Sequence, residues 1–203
     1  MFLGMAIGMD ARVWLGWMVL AGGLALARAE GGREVYEGVD AAFLEDVRRE
    51  FDAAPDSAAA TRALAEKLDQ KRAEAPDGGA PVLQAYRAAL EGIEGKHSRL
   101  PWDKYNRAKA GLAQLDAWVE AYPDSNEIRM LRFTFGHQLP EFFGAGKKAA
   151  ADRKILAERL AEGADPAVAG AYRRDVIQWI LRNGDPTPEE KAELESALAG
   201  WEP

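Results

Sequence analysis

The chain has 203 residues, with 26 lysines and arginines against 33 aspartates and glutamates, a net charge of −7. Hydrophobic residues make up 48% of it, a globular composition and not a disordered one. It has no cysteine, which excludes disulfide scaffolds, thiolate metal sites, thiol nucleophiles and lipid-anchor cysteines. The acidic balance argues against a general nucleic-acid binder, which needs a concentrated basic face.

Residues 1–29 read as an address. Val13 to Leu26 is an apolar and glycine run preceded by Arg12, and Ala27-Arg28-Ala29 places small residues where signal peptidase requires them. The run is shorter than the roughly 20 residues a membrane-spanning helix needs. We expect cleavage after Ala29 and export to the periplasm or beyond it in a bacterium, with no membrane span in the remaining chain. The alternative is an uncleaved N-terminal anchor. Residues 30–203 form the expected single domain, long enough to bury a core without cross-links.

That domain reads as all-α, about eight helices in four antiparallel hairpins, with no period-2 alternation of β-branched residues. Phe43, Leu44, Val47 and Phe51 form a first stripe after the cap candidate Asp40. Leu64 and Leu68 mark a second, Ala-rich helix between Asp56 and Ala73. Leu83, Tyr86, Leu90 and Ile93 follow Pro81. Tyr105, Leu112, Leu115, Val119 and Tyr122 line a fourth helix that ends at Pro123. Ile128, Leu131 and Phe135 follow Asp124, and Asp124 with Glu127 has the spacing of a capping box. Ile155, Leu156 and Leu160 stop at Gly163. Val168, Tyr172, Val176 and Trp179 follow Asp165-Pro166, read as a cap with proline at the first helical position. Thr187-Pro188-Glu189-Glu190 then opens the last helix, carrying Leu194 and Leu198. Alternate helices begin near residues 41, 81, 125 and 167. This spacing suits stacked helical hairpins, and a simple bundle is the alternative.

The segment Tyr105 to Pro123 resembles the second helix of a tetratricopeptide unit. Gly111, Leu115 and Pro123 fall on that repeat's small, bulky and closing-proline positions, whereas Trp118 stands where the repeat has alanine. A wider resemblance is to a group of uncharacterised secreted bacterial proteins with tetratricopeptide-like helices. It is carried by Lys96-His97-Ser98-Arg99-Leu100-Pro101, by Asn126-Glu127-Ile128-Arg129-Met130-Leu131-Arg132-Phe133, and by Pro140-Glu141-Phe142-Phe143-Gly144. Gly95 replaces the group's alanine, and Phe143 stands where leucine is common. The resemblance implies a right-handed helical stack and an exported protein, and it implies no activity.

Glu127, Arg129 and Arg132 lie beside the stripe of Ile128, Leu131 and Phe135, and charges so placed must be paired or hydrated. Lys96 and His97 close the third helix, His97 continuing its stripe. Two readings follow: an anion or carboxylate site built from Lys96, His97, Arg129 and Arg132, or a hydrogen-bonded network locking the second and third hairpins together. Glu94-x-x-His97 has a metal-site spacing, but no second copy exists, so no metal is expected. Residues 140–148, PEFFGAGKK, lack the phosphate-loop spacing and follow no strand. No cofactor motif or catalytic serine pattern is present. Phe142 and Phe143 either anchor the turn against the core or form an exposed patch for a partner. Trp102, Trp118 and Trp179 are expected in the core, and Trp201 at a partner contact or a terminal cap. The favoured function is an envelope module that presents a groove to another protein or peptide. The alternative is a small-molecule binder or enzyme using the basic cluster.

Overall fold

A computed structural model describes residues 34–75, 79–163, 165 and 167–200. Residues 1–29, read above as a cleavable signal, and Trp201 lie outside the described residues. Those described form eight helices: α1 Ala41–Ala53, α2 Ala58–Glu74, α3 Pro81–His97, α4 Pro101–Ala121, α5 Asn126–Gln138, α6 Gly146–Glu162, α7 Gly170–Asn183 and α8 Pro188–Ala199. Two short 3-10 turns, Ala54–Asp56 and Glu141–Phe143, sit between α1 and α2 and between α5 and α6. No strand occurs among the described residues, and the chain is all-α.

Local chemistry sets most helix starts. The Asp40 carboxylate accepts from the amide of Phe43 at 3.0 Å, and the Ser57 hydroxyl from that of Ala60 at 3.2 Å. Thr187 and Glu190 form the reciprocal capping box around Pro188. At α6 the chain stops where Gly163 enters the left-handed region at φ 67°. Two expected starts are corrected. Ser125, not Asp124, caps α5, its hydroxyl accepting from the amide of Ile128 at 3.2 Å. Glu127 is thereby released from capping and lies buried instead. Asp165 accepts from the amide of Ala167 at 2.9 Å, which closes a local turn, and α7 begins only at Gly170.

Each helix packs on its predecessor, and α3 also meets α5 while α6 meets α8, the arrangement of a helical stack or bundle. Two groups of buried side chains fill it. One takes Leu44, Val47, Leu64, Leu83, Leu90 and Leu115 from the first four helices, with Ile128 and Leu131 from α5. The other takes Met130 and Phe133 from α5, with Leu156, Ile177, Ile180 and Leu194. Because α5 is apolar on two faces, it joins the halves. Each such side chain contributes roughly 1.5–3 kcal/mol by leaving water.

The closest approaches use glycine where nothing larger fits. A Cβ on Gly111 of α4 would lie 2.7 Å from the Ala88 carbonyl oxygen of α3. A Cβ on Gly92 would lie 2.1 Å from the ring of Phe135, so this missing side chain is what lets α5 lay an aromatic ring across α3.

Candidate functional site

The charged residues singled out by the sequence separate into three groups. Glu127, fully buried, accepts four hydrogen bonds. Arg48 of α1 donates from Nε to Oε1 at 2.8 Å and from Nη2 to Oε2 at 2.6 Å. The Tyr86 hydroxyl donates to Oε1 at 2.7 Å and that of Tyr36 to Oε2 at 3.0 Å. Arg48 also reaches the Ala167 carbonyl at 3.1 Å, pairs with Glu45, and lies 3.7 Å from the ring centre of Tyr172. Burial and the neighbouring Glu127 carboxylate push the phenols of Tyr36 and Tyr86 well above the ordinary tyrosine value. Burial works against the Arg48 charge, yet Glu127 holds that guanidinium above its usual range. The carboxylate therefore has its acceptor sites filled by the protein and offers nothing to a ligand.

Arg129 and Arg132 belong to a second group, on the buried Asp152 of α6. Arg129 Nη1 donates to Asp152 Oδ1 at 2.7 Å, while Arg132 donates Nε to Oδ2 and Nη2 to Oδ1, each at 2.7 Å. Arg132 Nη1 reaches Asp116 of α4 at 3.1 Å, and Lys148 of α6 holds the other oxygen of Asp116 at 2.7 Å. Arg129 Nη2 donates to the Pro123 carbonyl at 2.6 Å, and Arg129 Nε is buried without a partner. These charges tie α4, α5 and α6 together, and with the bond from Tyr86 to Glu127 they lock the second hairpin to the third.

Lys96 and His97 form the third group and meet none of those arginines. His97 Nε2 lies 3.1 Å from the Ala54 carbonyl and Lys96 Nζ donates to the Pro55 carbonyl at 2.7 Å, pinning the end of α3 to the first 3-10 turn. The combined anion site read from Lys96, His97, Arg129 and Arg132 is thus corrected: the guanidinia already hold carboxylates, and the His97 ring holds a carbonyl. Glu91 and Glu94 both accept from Arg107 of α4, at 3.0 and 2.7 Å. Among the described residues no cluster of three His, Asp or Glu side chains could hold a metal.

What the structure does build is an apolar groove of about 580 Å³ between α3, α4, α5 and the Glu141–Phe143 turn. Gly92, Ile93 and Ala108 lie along it, and Phe51, Tyr105, Phe135, Phe142 and Phe143 supply aromatic walls. The rings of Tyr105 and Phe143 stack with centres 5.2 Å apart, and those of Phe142 and Phe143 are 4.7 Å apart. Phe142 is 72% exposed and Tyr105 43% exposed, whereas Phe143 is half-buried against the Tyr105 ring, so the turn presents one phenylalanine to solvent and packs the other. Trp102, expected in the core, is 63% exposed. The buried positions of α4 are Ala108, Gly111, Leu115 and Val119, and Trp102, one helical turn before Tyr105, extends the open face. Trp118 and Trp179 pack at the core margins.

Sequence reasoning missed Arg48 and Asp152. A signal for each exists in retrospect: Arg48 continues the Leu44, Val47, Phe51 spacing, and Asp152 falls between Ala149 and Leu156 on one face. A charge inside an apolar stripe marks a buried partner. Comparison with protein-family models, with characterised proteins and with solved structures finds no match.

Proposed function

We propose that this chain is an exported module of a bacterial cell envelope whose helical stack binds a segment of a partner protein in the groove between α3, α4 and α5. The observation that carries this reading is the groove itself, open on one side and lipped by the exposed rings of Tyr105 and Phe142. Large aromatic side chains held at the surface by stacking on one another lose little rotamer freedom on binding. The Val13–Leu26 run and Ala27-Arg28-Ala29 support the export, and the resemblance to secreted proteins with tetratricopeptide-like helices supports both address and stack. The buried arginines support architecture: Arg129 and Arg132 hold Asp152, and Arg48 holds Glu127, between helices.

Two experiments test the reading. N-terminal sequencing of the protein recovered from the envelope should begin at Glu30, and a start before it contradicts cleavage. A quantitative pull-down should recover a partner with the wild type and lose it with Tyr105→Ser/Phe142→Ser. Both changes are at exposed positions and leave the core untouched. Equal recovery with the double variant would contradict a groove-mediated interaction.

A further inference from the structure

The charge of the groove runs opposite to the net charge of −7 on the chain. Among the described residues no carboxylate lines the groove, although the chain has 33 aspartates and glutamates. Two lysines do line it, Lys96 from the end of α3 and Lys104 from the first turns of α4, and both are exposed. Their hydrogen-bonding partners are main-chain carbonyls: Lys96 Nζ donates to Pro55 and Lys104 Nζ donates to the carbonyl of Lys96 at 2.9 Å. Neither forms an ion pair among the described residues. Arg107 and Lys148, by contrast, are committed to carboxylates, Arg107 to Glu91, Glu94 and Asp103 and Lys148 to Asp116. Each ammonium has three donors, so each lysine keeps donors beyond the carbonyl it already meets.

Two uncompensated ammonium groups beside aromatic walls specify a complementary ligand. Resting on the reading of the groove as the binding site, we propose that it selects peptide segments in which a bulky apolar side chain is adjacent to aspartate or glutamate. The apolar side chain packs against the open faces of the Tyr105, Phe135 and Phe142 rings, and the carboxylate meets Lys96 and Lys104 at the rim. The volume lies within the range of sites that take a few side chains, roughly 300–1,000 Å³, and is too small for an entire folded interface. Gln138, exposed on the same groove and with no side-chain hydrogen bond among the described residues, offers both an amide donor and a carbonyl acceptor to a peptide main chain. The half-open shape lets a chain enter and leave, which suits a segment of a longer polypeptide.

The test is selection from a displayed random-peptide library on the purified protein, on Lys96→Glu/Lys104→Glu and on Tyr105→Ser/Phe142→Ser, all with exposed replacement sites. Circular dichroism verifies that each variant keeps its helices. On the wild type, enriched peptides should join an aromatic or aliphatic residue to Asp or Glu. A synthetic representative should lose about tenfold in affinity when its acids become amides. The lysine-reversed variant should enrich basic peptides of the same apolar pattern. Wild-type enrichment without acidic bias, or the same acidic peptides on the lysine-reversed variant, overturns the charge selection and leaves the groove reading standing. Peptides that bind the Tyr105/Phe142 variant equally well overturn the groove reading as well. A final arm offers sodium dodecanoate: if it binds at the groove and no peptide is enriched, the occupant is a single-chain amphiphile and the proposal is wrong.

Discussion

Removing the Glu127 side chain should come close to unfolding the protein. In Glu127→Ala the Arg48 guanidinium, only 9% exposed, loses two hydrogen bonds of 2.6–2.8 Å and keeps the Ala167 carbonyl, the exposed Glu45 and the face of the Tyr172 ring as partners. Breaking a buried pair from one side costs about 3–5 kcal/mol. The hydroxyls of Tyr86 and Tyr36 lose their acceptor as well, at about 1–3 kcal/mol each where water does not replace it. These terms are not additive, so the expected loss is at least about 4 kcal/mol, against about 5–15 kcal/mol for a whole domain. Urea denaturation reads it as a fall in midpoint at unchanged slope. Arg48→Met in the Glu127→Ala background removes the stranded charge and should recover about 2 kcal/mol. A loss below about 1 kcal/mol in the single variant, or no recovery in the double, would refute the buried network.

Other consequences follow from the same geometry. The phenols of Tyr36, Tyr86 and Tyr172 are raised in the folded protein, by burial first and then by Glu127, so the unfolded chain releases these protons earlier. Their stabilisation is complete below about pH 10 and falls above it, by up to about 1.4 kcal/mol per pH unit for each phenol. Alkaline denaturation should therefore be shallower in Tyr36→Phe than in the wild type, and equal slopes would count against the coupling. Arg132→Ala should cost about 2 kcal/mol in urea, less than Glu127→Ala because Arg129 still holds Asp152 and Lys148 still holds Asp116; a change below about 0.5 kcal/mol would place Arg132 on the surface. Gly111→Ala should destabilise despite alanine's better helix propensity, since its Cβ would meet main chain at 2.7 Å, and a gain in melting temperature would contradict that helix crossing.

The helices were legible because periodicity and caps are local. Pro81, Thr187-Pro188 and Gly163 mark helix ends in the sequence and in the structure alike. The errors were also local: Asp124 and Ser125 are adjacent side chains that can each cap, and Asp165 can close a turn as readily as a helix. The partners of the conspicuous charges were not legible, because Glu127 finds Arg48 at a separation of 79 residues and Tyr36 at 91. The sequence said that Arg129 and Arg132 needed partners, but only the packing of α5 on α6 supplies Asp152. The groove was illegible for the same reason, being assembled from several elements at once. Its one sequence trace was the Phe142-Phe143 pair, which the structure stacks on the exposed Tyr105 of α4.

The central claim is that the groove beside Phe142 is where a partner sits. The direct measurement places a photo-crosslinking amino acid at position 142 in living cells, with a second protein carrying it at the exposed position 195 of α8. The account predicts a discrete crosslinked species at 142, absent at 195, whose yield collapses when Lys96→Glu/Lys104→Glu is added. Equal crosslinking at both positions, or none at 142, would contradict it.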